Sequence, residues 1–355
     1  MTERILVINP GARSTKAAVY ECEGEALRGS ITHTDADLAA YTGEPVLQQL
    51  PLRIAALECW LSAHGQSGSE WSAVVARGGL LRPLESGAYR VTDAMLEDLR
   101  AASRGEHAAN LGAFLAREFA QRAACPALVA DPVSVDELAD VARVSGLAGL
   151  ARESLSHALN TKAVARRYAA AQRRRYEELR LIVAHLGSGI SVSAHVNGRM
   201  VDVNNSREEG PFSADRCGGL PVLALLNRAI NEGWSATDAE RHVFREGGVY
   251  SYLGTRDLAG VIERAATENE AGRILDAMLY QIKKEVGALA AVLDGHVDAV
   301  LLTGGMANAA AITEPLAQQL SWVAPVSVYP GEDELRSLAE AAQRVLRGEC
   351  ELITY

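Results

Sequence analysis

Apolar positions in this chain come in two periods. Short unbroken apolar runs read as buried strands, and runs repeating every three or four residues read as helices. The run at 4–20 is an apolar stretch, a turn cluster from Asn9 to Ser14, and a second apolar stretch. It predicts two strands joined by a tight glycine-containing loop. Residues 21–45 are mixed and polar, and no element is assigned to them. Val46, Leu50, Ile54, Leu57 and Leu61 stand at helical spacing and predict a helix over 45–64. A strand at 72–76 ends in Arg77-Gly78-Gly79, and a short strand at 89–92 leads to Thr92 as a helix cap. Helices are predicted over 93–102 and up to about 123, with a strand over 127–130 that stops at Asp131-Pro132. Residues 154–174 read as a basic helix.

The opening pattern returns at 180–196. A shift of 176 residues lays Asn9 over His185 and Gly11 over Gly187. Asn197-Gly198 is a two-residue turn between alternating runs. Residues 204–221, rich in Gly, Pro, Asn and Ser, are too long for a simple connection, which marks a functional loop. Helices dominate 221–294, then come a strand at 299–305 running into Gly304-Gly305, a helix near 307–321, a strand at 326–330 and a closing helix over 334–347. Strands alternating with helices give an α/β protein with mixed sheets. Two strand–turn–strand units, each where a domain would begin, predict two similarly built halves with a cleft between them. The hairpin tips present backbone N–H groups, whose dipoles suit phosphate.

The 355 residues suffice for two cores. A formal charge of −10 argues against nucleic acid as a partner. The five cysteines, Cys22, Cys59, Cys125, Cys217 and Cys350, are scattered without a C-x-x-C pair, so free thiols in a reducing compartment are expected. No apolar run is long enough to span a bilayer and no cleavage site follows the N-terminus, so the expectation is a cytoplasmic protein without membrane contact.

Polar residues cluster just past the apolar strands: Asn9, Arg77, Asp131, His185, Gly304-Gly305 and the acidic run Glu332-Asp333-Glu334. Ligands of α/β proteins bind at such strand ends. Each residue alone has an ordinary reading. A strand-end Asp caps turns, a single Arg forms surface ion pairs, and His107 and His157 in helical surroundings are structural. The set is what points to an anion site. No G-x-x-x-x-G-K-[ST] loop, G-x-G-x-x-G fingerprint, H-E-x-x-H or G-x-S-x-G is present, which counts against P-loop enzymes, dinucleotide dehydrogenases, zincins and α/β-hydrolases.

Residues 5–16, Ile-Leu-Val-Ile-Asn-Pro-Gly-Ala-Arg-Ser-Thr-Lys, resemble the first signature of the acetate and butyrate kinase family, and 182–191, Ile-Val-Ala-His-Leu-Gly-Ser-Gly-Ile-Ser, its second. The stretches at 76–83, 131–138, 157–166, 209–221, 251–255, 302–307 and 329–334 continue the resemblance in order and favour the butyrate kinase branch. The resemblance implies an actin-like ATPase fold of two ribonuclease-H-like domains, mixed sheets flanked by helices, over 1–160 and 161–333. The 334–355 segment is expected to pack back on the first domain, and the active site to lie in the cleft. It implies phosphoryl transfer from ATP to butyrate or a similar short-chain acid, with Mg²⁺ as cofactor and a homo-oligomer as the assembly. Arg77 and Arg216 would bring carboxylate and phosphate together. His157 would donate to a phosphoryl oxygen in the transition state, and His107 would be a supporting hydrogen-bond partner. Asn9, Gly11 and Lys16 would hold phosphate on the first loop, and His185, Gly187, Ser188 and Gly189 on the second. Asp131 and Glu332 would position Mg²⁺, with the acid within 332–334 left open, and Asp131 also counts among the catalytic set. Gly304, Gly305 and Asn308 would border the adenosine. Ala12 and Arg13 stand where relatives carry small hydroxyl residues. That departure motivates an alternative, a nucleotide-binding relative with a regulatory role. A chaperone or filament subunit on the same fold is a third reading, which no appended peptide-binding domain supports.

Overall fold

The computed structural model describes residues 3–22, 24–68 and 70–355. Contacts divide the chain into two units, Met1–Val135 with Asp333–Tyr355, and Asp136–Glu332.

The first unit is built on a seven-stranded mixed sheet in the order β12-β5-β6-β4-β1-β2-β3. Its strands are β1 (Arg4–Pro10), β2 (Ser14–Glu21), β3 (Gly24–Thr32), β4 (Ala73–Arg77), β5 (Ala88–Arg90), β6 (Ala127–Ala130) and β12 (Leu352–Thr354). β1, β4 and β6 run parallel, while β2 and β3 return antiparallel as a meander. The parallel strands are unbroken apolar runs because helices cover both faces. The helices Leu111–Arg122 and Glu334–Leu346 pack against β1, β4 and β6. Ile8, Val74, Val129, Leu111 and Leu115 lie in the core with no exposure.

The second unit repeats that plan on a five-stranded sheet in the order β11-β10-β7-β8-β9. Its strands are β7 (Leu181–Leu186), β8 (Ile190–Val196), β9 (Arg199–Val203), β10 (Ala299–Gly304) and β11 (Val326–Pro330). β7, β10 and β11 are parallel and β8 and β9 form the meander, so β7, β10 and β11 correspond to β1, β4 and β6. The long helix Asn269–Val292 buries Ile274, Met278, Ile282, Val286 and Leu289 on one stripe against this sheet. No helix among the described residues is long and apolar enough to cross a membrane.

Several expectations change. Residues 21–45 contain β3, which the pattern conceals because it is a polar edge strand with Glu25 and Arg28 exposed or half-exposed. The basic helix begins at Ala158 rather than near 154, and the helix expected from 307 begins at Ala310 after a 3₁₀ turn, Gly305–Asn308. The chain closes on a strand, β12, beside β5, not on the helix before it. The offset of 176 holds up to the loops and then slips by one. Four residues separate the last pair Pro10–Thr15 of the first hairpin, and three separate Leu186–Ile190 of the second. Residues 136–160, assigned above to the first domain, fall in the second unit. There Glu137 pairs with Lys162 (2.6 Å) and the Ala139 N–H donates to the Val201 carbonyl (2.8 Å).

Candidate active site

In the first unit the candidates sit at the C-terminal ends of the three parallel strands, because strand direction puts those ends on one edge of the sheet. Asn9 is near the end of β1, Arg77 ends β4 and Asp131 follows β6. Glu334, in the first turn of its helix, ties two of them together. Its Oε2 accepts from Asn9 Nδ2 (2.5 Å), and its Oε1 pairs with Arg77 Nη1 (3.0 Å). Asp131 is buried and holds a left-handed φ of 36°. The Gly87 N–H donates to its Oδ1 (2.8 Å), and its own N–H donates to the Gly87 carbonyl (3.0 Å). Gly112 lets the helix Leu111–Arg122 lie directly on β4, since a Cβ there would stand 2.0 Å from the Arg77 carbonyl oxygen. His107 caps a 3₁₀ turn, its Nδ1 accepting from the Ala109 N–H (3.1 Å). Lys16 lies opposite Asn9 in the ladder and is exposed.

The first loop leans on a residue that pattern reading passed over. Arg53 is completely buried. Its Nη1 donates to the Gly11 carbonyl (3.1 Å), the Ser14 carbonyl (3.0 Å) and Thr15 Oγ1 (3.1 Å). Its Nη2 donates to the Ala12 carbonyl (3.0 Å) and Gln49 Oε1 (2.8 Å). Burial lowers its pKa to about 10. The sequence does carry a signal, an arginine on the same helix face as Leu57 and Leu61, the other buried positions. Arg13, on the same loop, is exposed and its guanidinium pairs with Asp35.

In the second unit His185 sits near the end of β7, Gly304 ends β10 and Glu332 follows β11. Asp131 and Glu332 thus follow corresponding strands of the two sheets. His157, just before the helix Ala158–Ala171, stacks on His185 with ring centroids 3.7 Å apart and planes 6° apart. His157 Nδ1 is 3.0 Å from Ser191 Oγ. The Thr303 hydroxyl donates to the Gly331 carbonyl (3.2 Å), so its oxygen accepts from Asn160 Nδ2 (3.1 Å). The other Asn160 N–H reaches His185 Nδ1 (2.9 Å). This network assigns the His185 proton to Nε2. That nitrogen lies 3.0 Å from Glu332 Oε1, at ion-pair distance but outside hydrogen-bond alignment.

The glycines of the second loop allow close approach. A Cβ on Gly189 would stand 2.2 Å from Arg216 Nη1, and one on Gly187 would stand 2.8 Å from His185 Nε2. Arg216 comes from the long loop at 204–221. Its Nη1 donates to the Ser206 carbonyl (2.9 Å) and Oγ (3.1 Å), its guanidinium lies 4.4 Å from the Phe244 ring centroid, and burial lowers its pKa. Ser213 Oγ donates to the Ser188 carbonyl, while Ser188 itself is exposed. Gly304, at φ 92°, passes the Leu186 carbonyl oxygen where a Cβ would be 2.5 Å away. Asn308 Nδ2 donates to the Gly305 carbonyl (2.9 Å). Within each unit the candidates therefore gather at one sheet edge, Asn9, Arg77 and Asp131 in the first and His157, His185, Arg216 and Glu332 in the second. Arg53, Asn160, Thr303, Ser191 and Ser213 are partners that sequence reasoning did not single out, while Glu334, one of the acids of the 332–334 run, proves to be the partner of Asn9 and Arg77.

Two sheets of the same plan, each with a glycine-containing hairpin at the ligand edge, define the actin-like ATPase fold. Solved structures share it: acetate kinase from Porphyromonas gingivalis (TM-score 0.76, 19% identity, 97% of this chain and 100% of that one) and acetate kinase from Entamoeba histolytica (TM-score 0.78, 14% identity, 97% and 100%). The acetokinase family profile matches residues 150–329. The chain is 45% identical over 347 residues to a probable butyrate kinase 2 of Caldanaerobacter subterraneus subsp. tengcongensis, covering 98% of both. It is 43% identical over 351 residues to a probable butyrate kinase of Clostridium botulinum strain Alaska E43, again covering 98% of both. The chain belongs to the acetokinase family, whose members use ATP.

Proposed function

We propose that the protein transfers the γ-phosphoryl group of ATP to the carboxylate of butyrate or a similar short or branched-chain fatty acid, giving the acyl phosphate and ADP, reversibly. The observation that carries this reading is the 45% identity, across 98% of both chains, to a protein named as a probable butyrate kinase. A carboxylic acid is ionised near neutral pH, so the attacking oxygen needs no general base. That oxygen bonds to Pγ, the bond from Pγ to the β–γ bridging oxygen breaks, and ADP leaves with the electron pair. What the protein supplies is positioning and charge neutralisation.

In this reading Arg77 and Arg216 fork onto the anions, and the Glu334 contact orients Arg77. His157 donates from Nε2 to an equatorial phosphoryl oxygen, a role that requires the Ser191 hydroxyl to donate to its Nδ1. Asn9, Gly11 and Lys16 on the first loop, and His185 with Gly187–Gly189 on the second, hold phosphate. Gly304, Gly305 and Asn308 border the adenosine. Asp131 and Glu332 are hard oxygen donors, and no cage of three or more His, Cys, Asp or Glu exists among the described residues. That donor set suits Mg²⁺ held through water and phosphate. When bound with ATP, Mg²⁺ supplies charge neutralisation on the β- and γ-phosphates. Within 332–334, Asp333 caps a helix and pairs with Arg28, Glu334 is held by Asn9 and Arg77, and Glu332 lies 3.0 Å from His185 beside the second loop, which favours Glu332 for this role. The exposed row Val222, Leu223, Leu226 and Ile230 on one helix supports self-association, which light scattering measures. The five cysteines are free, which supports a reducing, cytoplasmic setting.

Hydroxamate trapping with ATP, Mg²⁺ and acetate, propionate, butyrate, isobutyrate or valerate tests the activity. Acyl phosphate peaking at butyrate or its branched neighbours, and lost in Arg77→Ala, is the expected result. No product from any acid, with ATP still bound, overturns the enzyme reading in favour of a nucleotide-binding relative.

A further inference from the structure

Between Gly11 and Ser14, the two side chains at the tip of the first loop do not make a phosphate site, although Lys16 stands on the strand beyond it. A phosphate loop needs donors and positive charge, yet Ala12 carries no hydroxyl and the Arg13 guanidinium is engaged by Asp35. The solution lies beneath the loop. Every acceptor of the Arg53 guanidinium is uncharged: three loop carbonyls, Thr15 Oγ1 and Gln49 Oε1. Among the described residues no carboxylate pairs with it, and its Nε has no acceptor. The adjacent titratable side chain, His33, whose Nε2 is 2.9 Å from Thr15 Oγ1, is itself held toward the neutral form by burial and by the Arg53 charge. A buried cation without a counter-ion is costly unless something offsets it.

Peptide geometry says where the offset belongs. In a trans peptide the N–H of one residue points opposite to the carbonyl of the residue before it. Holding the Gly11 and Ala12 carbonyls on the guanidinium therefore turns the N–H groups of Ala12 and Arg13 to the other side of the loop. Neither N–H has a hydrogen-bond partner among the described residues. The loop thus offers two aligned amides with a fixed positive charge behind them, an arrangement suited to an anion.

We propose that Arg53 is the positioning residue of the first phosphate loop: it shapes the turn Gly11–Ser14 by its carbonyls and supplies the positive charge that the terminal phosphates of ATP neutralise. This inference rests on the reading of the loop as an ATP site. It also accounts for Ala12 carrying no hydroxyl, since the donors there are backbone and the charge comes from below. A lysine cannot take over, because three carbonyls and two side chains are reached by two separate nitrogens of a planar fork.

The test compares wild type with Arg53→Lys and Arg53→Met, with circular dichroism and melting to establish folding. Binding of ATP, ADP and AMP is measured by calorimetry, and KM for ATP and for butyrate by hydroxamate trapping. The expected result for Arg53→Lys is a folded protein whose ATP affinity falls about 10-fold or more while AMP affinity and butyrate KM stay within about 3-fold. Arg53→Met falls further, or fails to fold, in which case the lysine variant decides. A folded Arg53→Lys with unchanged ATP affinity overturns the proposal, as does an equal loss for ATP, AMP and butyrate, which marks a mere brace. If wild type forms no acyl phosphate, the kinase reading fails by itself and the nucleotide series still decides the role of Arg53.

Discussion

The two hairpins β1–β2 and β7–β8 share topology and sheet position but carry different chemistry. The first turn, Gly11–Ser14, has its carbonyls gathered from below by one buried arginine. The second, Gly187–Gly189, is one residue shorter between its flanking pairs and has Arg216 lying against Gly189 and a stacked imidazole pair beside it. The contrast continues along the strands. β2 buries Ala18 and Tyr20 at the register positions where β8 buries Ser193 and His195, with His195 Nδ1 at 2.5 Å from the Tyr176 hydroxyl and Nε2 at 2.7 Å from Ser193 Oγ. One backbone plan thus serves as an amide cradle in one unit and as a side-chain platform in the other. The reason is local: the first loop keeps only Gly11 and must use main chain, whereas glycines on both sides of Ser188 admit large side chains to van der Waals contact.

The contrast breaks most visibly at Arg216. If the second hairpin works through side chains, Arg216→Ala lowers kcat/KM by about 10²- to 10³-fold, read by hydroxamate formation, with a normal melting curve. A change below 3-fold removes Arg216 from the chemistry. Next come the glycines. Gly189→Ala places a Cβ 2.2 Å from Arg216 Nη1 and costs about 10- to 100-fold in activity, whereas in Gly11→Ala the nearest atom, the Ser14 carbonyl oxygen, is 3.4 Å away and activity stays within about 3-fold. Equal losses would show that the loops are loaded alike.

The buried polar strand predicts a difference in stability. Burial lowers the His195 pKa to about 3, against an unfolded value near 6.5. A depressed histidine leaves stability fully present above the unfolded value and removes it as pH falls, by about 1.4 kcal/mol per pH unit between 6.5 and 3. Urea denaturation at pH 7.5 and 5.0 should show about 2 kcal/mol of acid loss from this group, and His195→Gln should shrink the difference. The smallest effect belongs to Arg13→Ala. Its partner Asp35 is exposed, and an exposed pair is worth little, so ATP KM moves by less than about 2-fold. A larger rise would put the Arg13 side chain on the phosphate.

Much of this was readable in advance. Unbroken apolar runs mark β1, β4, β6, β7 and β10 because parallel strands are buried on both faces, and turn residues mark where each stops. Strand ends then name Asn9, Arg77, Asp131 and His185, since direction alone sends those ends to one edge. β3 and β12 escaped because an edge strand or a three-residue strand is set by its neighbour's ladder and not by its own apolarity. The helix starts at Ala158 and not near 154, a boundary the pattern does not mark because the residues before it have no periodicity that separates helix from loop.

What the sequence determined alone was periodicity, turn chemistry and the order of strand-end residues, all properties of neighbours along the chain. What only the tertiary structure decided was which distant groups share hydrogen bonds. Arg53 with the loop 42 residues earlier, Asn160 with His185 and Thr303, and Glu334 with Asn9 325 residues away are such pairs. A buried charge or amide has to find its partners wherever packing brings them. Those partners are fixed by the three-dimensional contact and leave no periodic trace in the chain.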